Sequence, residues 1–249
     1  MATEAEFPAG GTALVTGAGS GIGESTATML VNSGCRVICA GRRADKLADL
    51  CGKLGSDAHA LELDVTDASS VESLYSRLPE DWRSIDILVN NAGHDEGGRC
   101  RFDEGDAGQW ASIIETNVIG LIRTTHAVIQ GMIARDHGHI VNIGSIAGLW
   151  PYATGTIYAG SKHAVHGFSE SLRLDFAGTG IRVTEILPGV VRTNFALNRW
   201  GDKTRADSFY DDFGVCLVPE DIARSVLFAL QQPPHVVISQ LVVVPSAQG

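Results

Sequence analysis

The sequence predicts an α/β protein built on a doubly wound parallel sheet of about seven strands, with helices on both faces. Three observations predict it. Short apolar runs recur along the whole chain and are continuous rather than alternating, which suits strands buried on both faces. Each run is followed by a longer segment of helical period, the pattern of right-handed crossovers. A cluster of glycines follows the first run, where a ligand would approach the sheet.

The elements follow in order. "TALVTG" reads as a strand and "IGESTATMLVNSG" as a helix closed by Gly34. "CRVICAG" precedes the helix "ADKLADLCGKLG", which ends at Gly55. "AHALELDV" leads to "DASSVESLYSRLP", with Asp67 as N-cap and Pro79 as stop. "IDILVNNAG" is the fourth strand, and one long helix is expected from about Gln109 to Arg135. "GHIVNIGS", a helix from Tyr158 to about Gly178, "IRVTEILPG", the helix "PEDIARSVLFALQQ" and the strand "HVVISQLVVVP" complete the series. No repeat, linker or break in composition divides residues 1–249, so one domain is expected.

Bulk properties narrow the function. Of 249 residues, 44% are hydrophobic and 19% charged, enough for a large core. A formal net charge of −10 argues against nucleic acid as a partner, because no basic surface supplies counterion release. Cys35, Cys39, Cys51, Cys100 and Cys216 are odd in number and lack metal-ligand spacing, so we expect reduced thiols, no metal and a cytoplasmic location. "MATEAEFPAGG" has neither a basic nor an apolar signal region, and no apolar run approaches the ~18 residues of a membrane span.

The turn "TGAGSGIG" places Gly17, Gly21 and Gly23 between strand and helix, where absent Cβ atoms let backbone N–H groups approach a pyrophosphate. At the end of the second strand, where an NAD site usually carries a carboxylate, the chain reads "AGRRADK". Arg42 and Arg43 there suit a ribose 2′-phosphate, which predicts NADP(H). Tyr158 and Lys162, four residues apart in "IYAGSK", share one helix face. An ammonium roughly 6 Å from a phenol, at a dielectric of ~20, would stabilise the phenolate by about 2.8 kcal/mol, near two pKa units.

With these motifs the chain resembles the short-chain dehydrogenase/reductase family over nearly its whole length, Thr12 to about Pro245. The resemblance implies a Rossmann-type fold and an NADP-dependent oxidoreductase acting on CH–OH groups. It implies that Gly17, Gly19, Ser20, Gly21, Ile22 and Gly23 hold the cofactor, that Asp64 and Val65 of "LDV" meet adenine, and that Asn91, Ala92 and Gly93 of "NNAG" support the adenosine ribose. Pro188, Gly189, Val191 and Thr193 of "PGVVRT" would flank the nicotinamide. Asn117, Ser145, Tyr158 and Lys162 match the four catalytic positions: Tyr158 as acid/base, Lys162 on the nicotinamide ribose, Ser145 donating to the substrate oxygen, and Asn117 helping to hold a relay water.

Within the family the chain is most similar to bacterial 3-hydroxy acid dehydrogenases, serine dehydrogenases and semialdehyde reductases. That implies a small carbonyl/alcohol substrate, an oxo acid or semialdehyde and its 3-hydroxy acid. "HDEGGRCRF" departs from those relatives in being charged, and "PSAQG" ends short of their tail. Arg101, Arg192 and Arg199 are the candidates to pair with a substrate anion, and a lid-like loop is expected over about residues 190–215. His94 and His163 read as surface histidines. Trp150, Tyr152, Phe195 and Trp200 would line a roomier pocket if the substrate were instead a bulky ketone or a biosynthetic aldehyde. A cofactor-sensing protein without turnover is disfavoured by the presence of Tyr158 and Lys162. The family also implies a homo-oligomer, a tetramer or dimer, for which Ile113, Val118, Ile122 and Phe168 are candidate contacts.

Overall fold

The structure is a computed structural model that describes residues 10–248; the segment 1–9, where a signal sequence was sought, lies outside them. Seven parallel strands, β1 (Thr12–Thr16), β2 (Arg36–Gly41), β3 (Ala58–Glu62), β4 (Ile85–Asn90), β5 (Gly138–Ile143), β6 (Ile181–Pro188) and β7 (Gln240–Val243), form one sheet in the order β3-β2-β1-β4-β5-β6-β7. Strand order reverses between β1 and β4, so a crevice opens beyond their carboxyl ends. The fold class is as the apolar runs predict.

Helices α1 (Gly21–Asn32), α2 (Ala44–Leu54), α3 (Ala68–Glu72), α4 (Ala107–Ile114), α5 (Leu121–Arg135), α6 (Thr156–Asp175), α7 (Phe195–Trp200), α8 (Lys203–Phe213) and α9 (Pro219–Leu230) complete the described chain. Two apolar clusters sandwich the sheet: Val15, Leu30, Leu47 and Val226 on one face, Leu14, Leu88, Val128 and Met132 on the other. Adjacent residues of one strand, such as Leu14 and Val15, therefore enter opposite cores, which is why the strands carry no polar alternation. Asp67 caps α3 by accepting from the Ser69 N–H at 2.9 Å. Among the described residues, no helix is long and apolar enough to cross a membrane.

Four elements differ from the expectation: α3 stops at Glu72 and is followed by a 3-10 turn at Tyr75–Arg77, β7 takes up only Gln240–Val243 of the expected run, and two others differ more deeply. The long helix is interrupted by a π turn, Glu115–Gly120, between α4 and α5. Packing explains it. Gly120 lies against Val65, where a Cβ would come within 2.6 Å of a valine methyl, and the extra residue rotates Asn117 into the interior. The expected lid loop is largely helical, formed by α7 and α8 with Gly201 in the left-handed region between them. Tyr210 pins these helices: its hydroxyl donates to the Thr193 carbonyl at 3.0 Å and accepts from the Ala196 N–H at 3.3 Å.

Candidate active site

A cleft of about 880 Å³ runs from the glycine turn after β1 to helices α7 and α8. It begins where β1 and β4 are stitched together. Thr16 Oγ1 accepts from the N–H groups of Asn91 and Ala92 at 3.0 Å, and Asn91 Nδ2 donates to the Thr16 carbonyl at 2.9 Å. Gly17 turns there at φ +67°, and a Cβ on Gly23 would stand 2.4 Å from the Gly17 carbonyl oxygen. Only a residue without a side chain lets helix and strand approach this closely. Ser20 is extended and its hydroxyl does not cap α1, so the first N–H groups of the helix are left for an external acceptor.

Arg43 crosses the turn and donates to Ser20 Oγ at 2.8 Å, while Arg42 lines the cleft beside it. No carboxylate forms an ion pair with either among the described residues. Asp64 and Val65 line the cleft; one Asp64 oxygen accepts from the Thr66 N–H at 2.9 Å and its hydroxyl at 2.7 Å. Gly19, Ser20, Gly21, Ile22, Asn91, Ala92, Gly93, Pro188, Gly189, Val191 and Thr193 line the same cleft, whereas Gly23 lies just beneath it. An uncapped helix end, a glycine-rich turn and two cations without acidic partners fit a phosphorylated dinucleotide.

Further along, Ser145 starts the turn after β5, and α6 carries Tyr158 and Lys162 on the cleft wall. The Lys162 ammonium lies 5.8 Å from the Tyr158 ring centroid and donates to the Ile143 carbonyl at 2.8 Å. The side chains converge as the four-residue spacing requires. Their electrostatics differ from the expectation. Burial pushes the Tyr158 phenol above its ordinary value of 10, while a hydrogen bond with Ser145 acts in the lowering direction. Burial likewise pulls Lys162 down to about 8, opposed by the Glu185 carboxylate behind it. Before the cofactor arrives, loss of water outweighs the attraction assumed at a dielectric of ~20.

Asn117 is fully inside. Its Nδ2 donates to the His94 carbonyl at 3.0 Å and to Ser161 Oγ at 3.1 Å, and its Oδ1 accepts from the His94 N–H at 2.9 Å. His94 is half-buried rather than a surface residue: its Nε2 lies 3.2 Å from the Ser112 carbonyl, and burial lowers its pKa. His163 is exposed. Glu185, which the sequence reading passed over, is fully buried on β6 and meets His166 Nδ1 at 2.7 Å.

The proposed substrate arginines separate. Arg101 is exposed and forks onto Asp103, off the cleft wall. Arg192 is exposed, pairs with Asp211 at 2.9 Å and is also off the wall. Arg199 lines the cleft but is buried against Asp95 at 2.7 Å. Arg99, missed by sequence reasoning, lines the cleft, as does Gln248, whose side-chain oxygen accepts from the Val190 N–H at 3.2 Å. Trp150, Tyr152 and Phe195 line the cleft, whereas Trp200 packs behind it on Phe209.

A parallel sheet with this cleft at its switch point, lined by the glycine turn and a Ser–Tyr–Lys group, defines a nicotinamide-dependent dehydrogenase. The short chain dehydrogenase family model matches residues 11–203, and the chain belongs to that family. It is 42% identical over 238 residues to the NADP-dependent 3-hydroxy acid dehydrogenase of Escherichia coli K12, covering 95% of each chain. It is 38% identical over 240 residues to the serine 3-dehydrogenase of Agrobacterium fabrum, covering 96% of this chain and 95% of the other. Among solved structures it resembles the closed form of a serine dehydrogenase complexed with NADP+, with TM-score 0.93, 41% identity and 96% coverage of each chain. The protein is an NADP-dependent oxidoreductase acting on hydroxyl groups.

Proposed function

We propose that the protein interconverts a small oxo acid or semialdehyde and the corresponding 3-hydroxy acid with NADP(H). The observation that carries this reading is the convergence of Ser145, Tyr158 and Lys162 on one wall of a cleft whose far end presents Arg42 and Arg43. The names of the relatives support the substrate class. The cofactor supplies or accepts the hydride; the chain supplies position and the proton.

In the reducing direction the Tyr158 phenol, kept protonated by its burial, gives its proton to the substrate oxygen as negative charge develops there. The Ser145 hydroxyl donates to the same oxygen, a contact that strengthens as the alkoxide forms. Lys162 stays cationic below about pH 8 and stabilises the phenolate left behind. Asn117 has both amide protons committed to His94 and Ser161. The Asn117 side chain therefore ties the π turn to the residues after β4 and to α6. Asp64 and Val65 would meet the adenine end of the cofactor with Arg42 and Arg43 on its ribose phosphate, Asn91 to Gly93 would support the adenosine ribose, Gly17 to Gly23 would hold the pyrophosphate, and Pro188 to Thr193 would flank the nicotinamide end.

Exposed apolar side chains on α5 and α6, Ile122 and Leu174, support a homo-oligomer, and the odd number of cysteines supports placing it in the cytoplasm. Ile113 is fully buried in the described chain and cannot serve as a contact. The test is NADPH oxidation against a panel of short 3-oxo acids, semialdehydes and bulky neutral ketones. Short acidic carbonyls should be turned over best; a preference for bulky neutral ketones would overturn the substrate class.

A further inference from the structure

We infer that Arg99 is the receptor for the substrate's carboxylate, an assignment that rests on the oxo-acid reading above. A protein of net charge −10 that binds an anionic cofactor and an anionic substrate in one cleft must place cations locally. Arg42 and Arg43 serve one end. At the other end the choice is forced by what each arginine already holds. Arg101 and Arg192 lie off the wall and bind Asp103 and Asp211. The Arg199 charge is neutralised by Asp95, and both side chains are almost wholly buried, so the pair offers little net field to a ligand.

Arg99 differs on every count. It lines the cleft, and it has no ion pair among the described residues. Its guanidinium carbon stands 4.9 Å from the Tyr152 ring centroid and 5.1 Å from that of Phe209, so two aromatic faces hold it. Such seating orients a planar fork while leaving N–H groups available to a carboxylate. The backbone of Arg99 is at φ +61°, a conformation that costs free energy for a residue with a side chain. Of the nearby carboxylates, Glu96 acts on the His94 imidazole, and the buried Asp95, which also feels the Arg99 charge, is bound to Arg199 at 2.7 Å.

The experiment compares kcat/KM for a short 3-oxo acid with that for its neutral methyl ester, using NADPH. Arg99→Ala should lower the acid-to-ester ratio tenfold to a hundredfold, and Arg99→Lys should fall between it and wild type, because charge is kept but the fork is lost. Arg101→Ala should leave the ratio within about twofold of wild type. An unchanged ratio in Arg99→Ala, in an enzyme that favours the acid, overturns the Arg99 assignment alone. A wild-type enzyme that favours the ester overturns the oxo-acid reading and this assignment together.

Discussion

Tyr158 and Lys162 show how burial sets the working pH of the site. Removing the phenolic proton donor while keeping the ring, as in Tyr158→Phe, should leave NADPH affinity nearly intact and cut kcat by a hundredfold or more. Fluorescence titration and steady-state assays would measure the two, and a folded variant with retained turnover would remove Tyr158 from the mechanism. Because Lys162 is pulled down to about 8, kcat/KM for carbonyl reduction should fall as pH rises through that value. Glu185 opposes the shift, so Glu185→Gln should move this alkaline limb to lower pH; a limb that stays put would show that Glu185 does not act on Lys162. Stability carries the opposite sign. The folded protein loses this proton near pH 8 and the unfolded chain near 10.5, so the Lys162 contribution to stability rises with pH between those values. At the other end of the cleft, replacing either Arg42 or Arg43 by alanine should reduce the preference for NADPH over NADH by one to two decades, as loss of one charge-assisted bond of about 1.5–3 kcal/mol implies.

Among the elements, α7 owes its place to a contact no local pattern announces. Asp95 follows β4 and Arg199 lies 104 residues later, yet they form a buried pair reinforced by the Gly97 N–H donating to the Arg199 carbonyl at 3.0 Å. Asp95→Asn would leave a buried guanidinium without its counter-charge and should cost about 3 kcal/mol. Urea denaturation would measure that loss, and protease cleavage within residues 195–213 should accelerate if α7 lifts first. The glycine turn, the strand ends and the Tyr158–Lys162 face were legible because each depends on residues within a few positions of one another. The π turn depends on Gly120 meeting Val65, and the Arg99 position depends on the path of an irregular loop. Neither leaves a periodic trace in the sequence.

For the whole molecule, continuous apolar runs were sufficient to read seven strands: the five inner ones are buried on both faces, while the edge strands β3 and β7 are only partly covered. Surface association leaves a weaker mark, because an apolar residue on a helix serves a core or a partner equally well. Ile113 shows the difference: it shares the apolar character of its neighbours on the α4 and α5 stretch but is fully buried within the described chain. Ile122 is 38% exposed on α5, Leu174 is 72% exposed on α6, and Phe228 is 50% exposed on α9. Large side chains left in water on three helices gain free energy if a second copy covers them. Light scattering should then return a mass of two or four times 26.3 kDa. Introducing a charge by Ile122→Asp together with Leu174→Asp should lower that mass, because burying an unpaired carboxylate costs more than the apolar contact provides. A wild-type mass of 26.3 kDa would show that these side chains have no partner in solution.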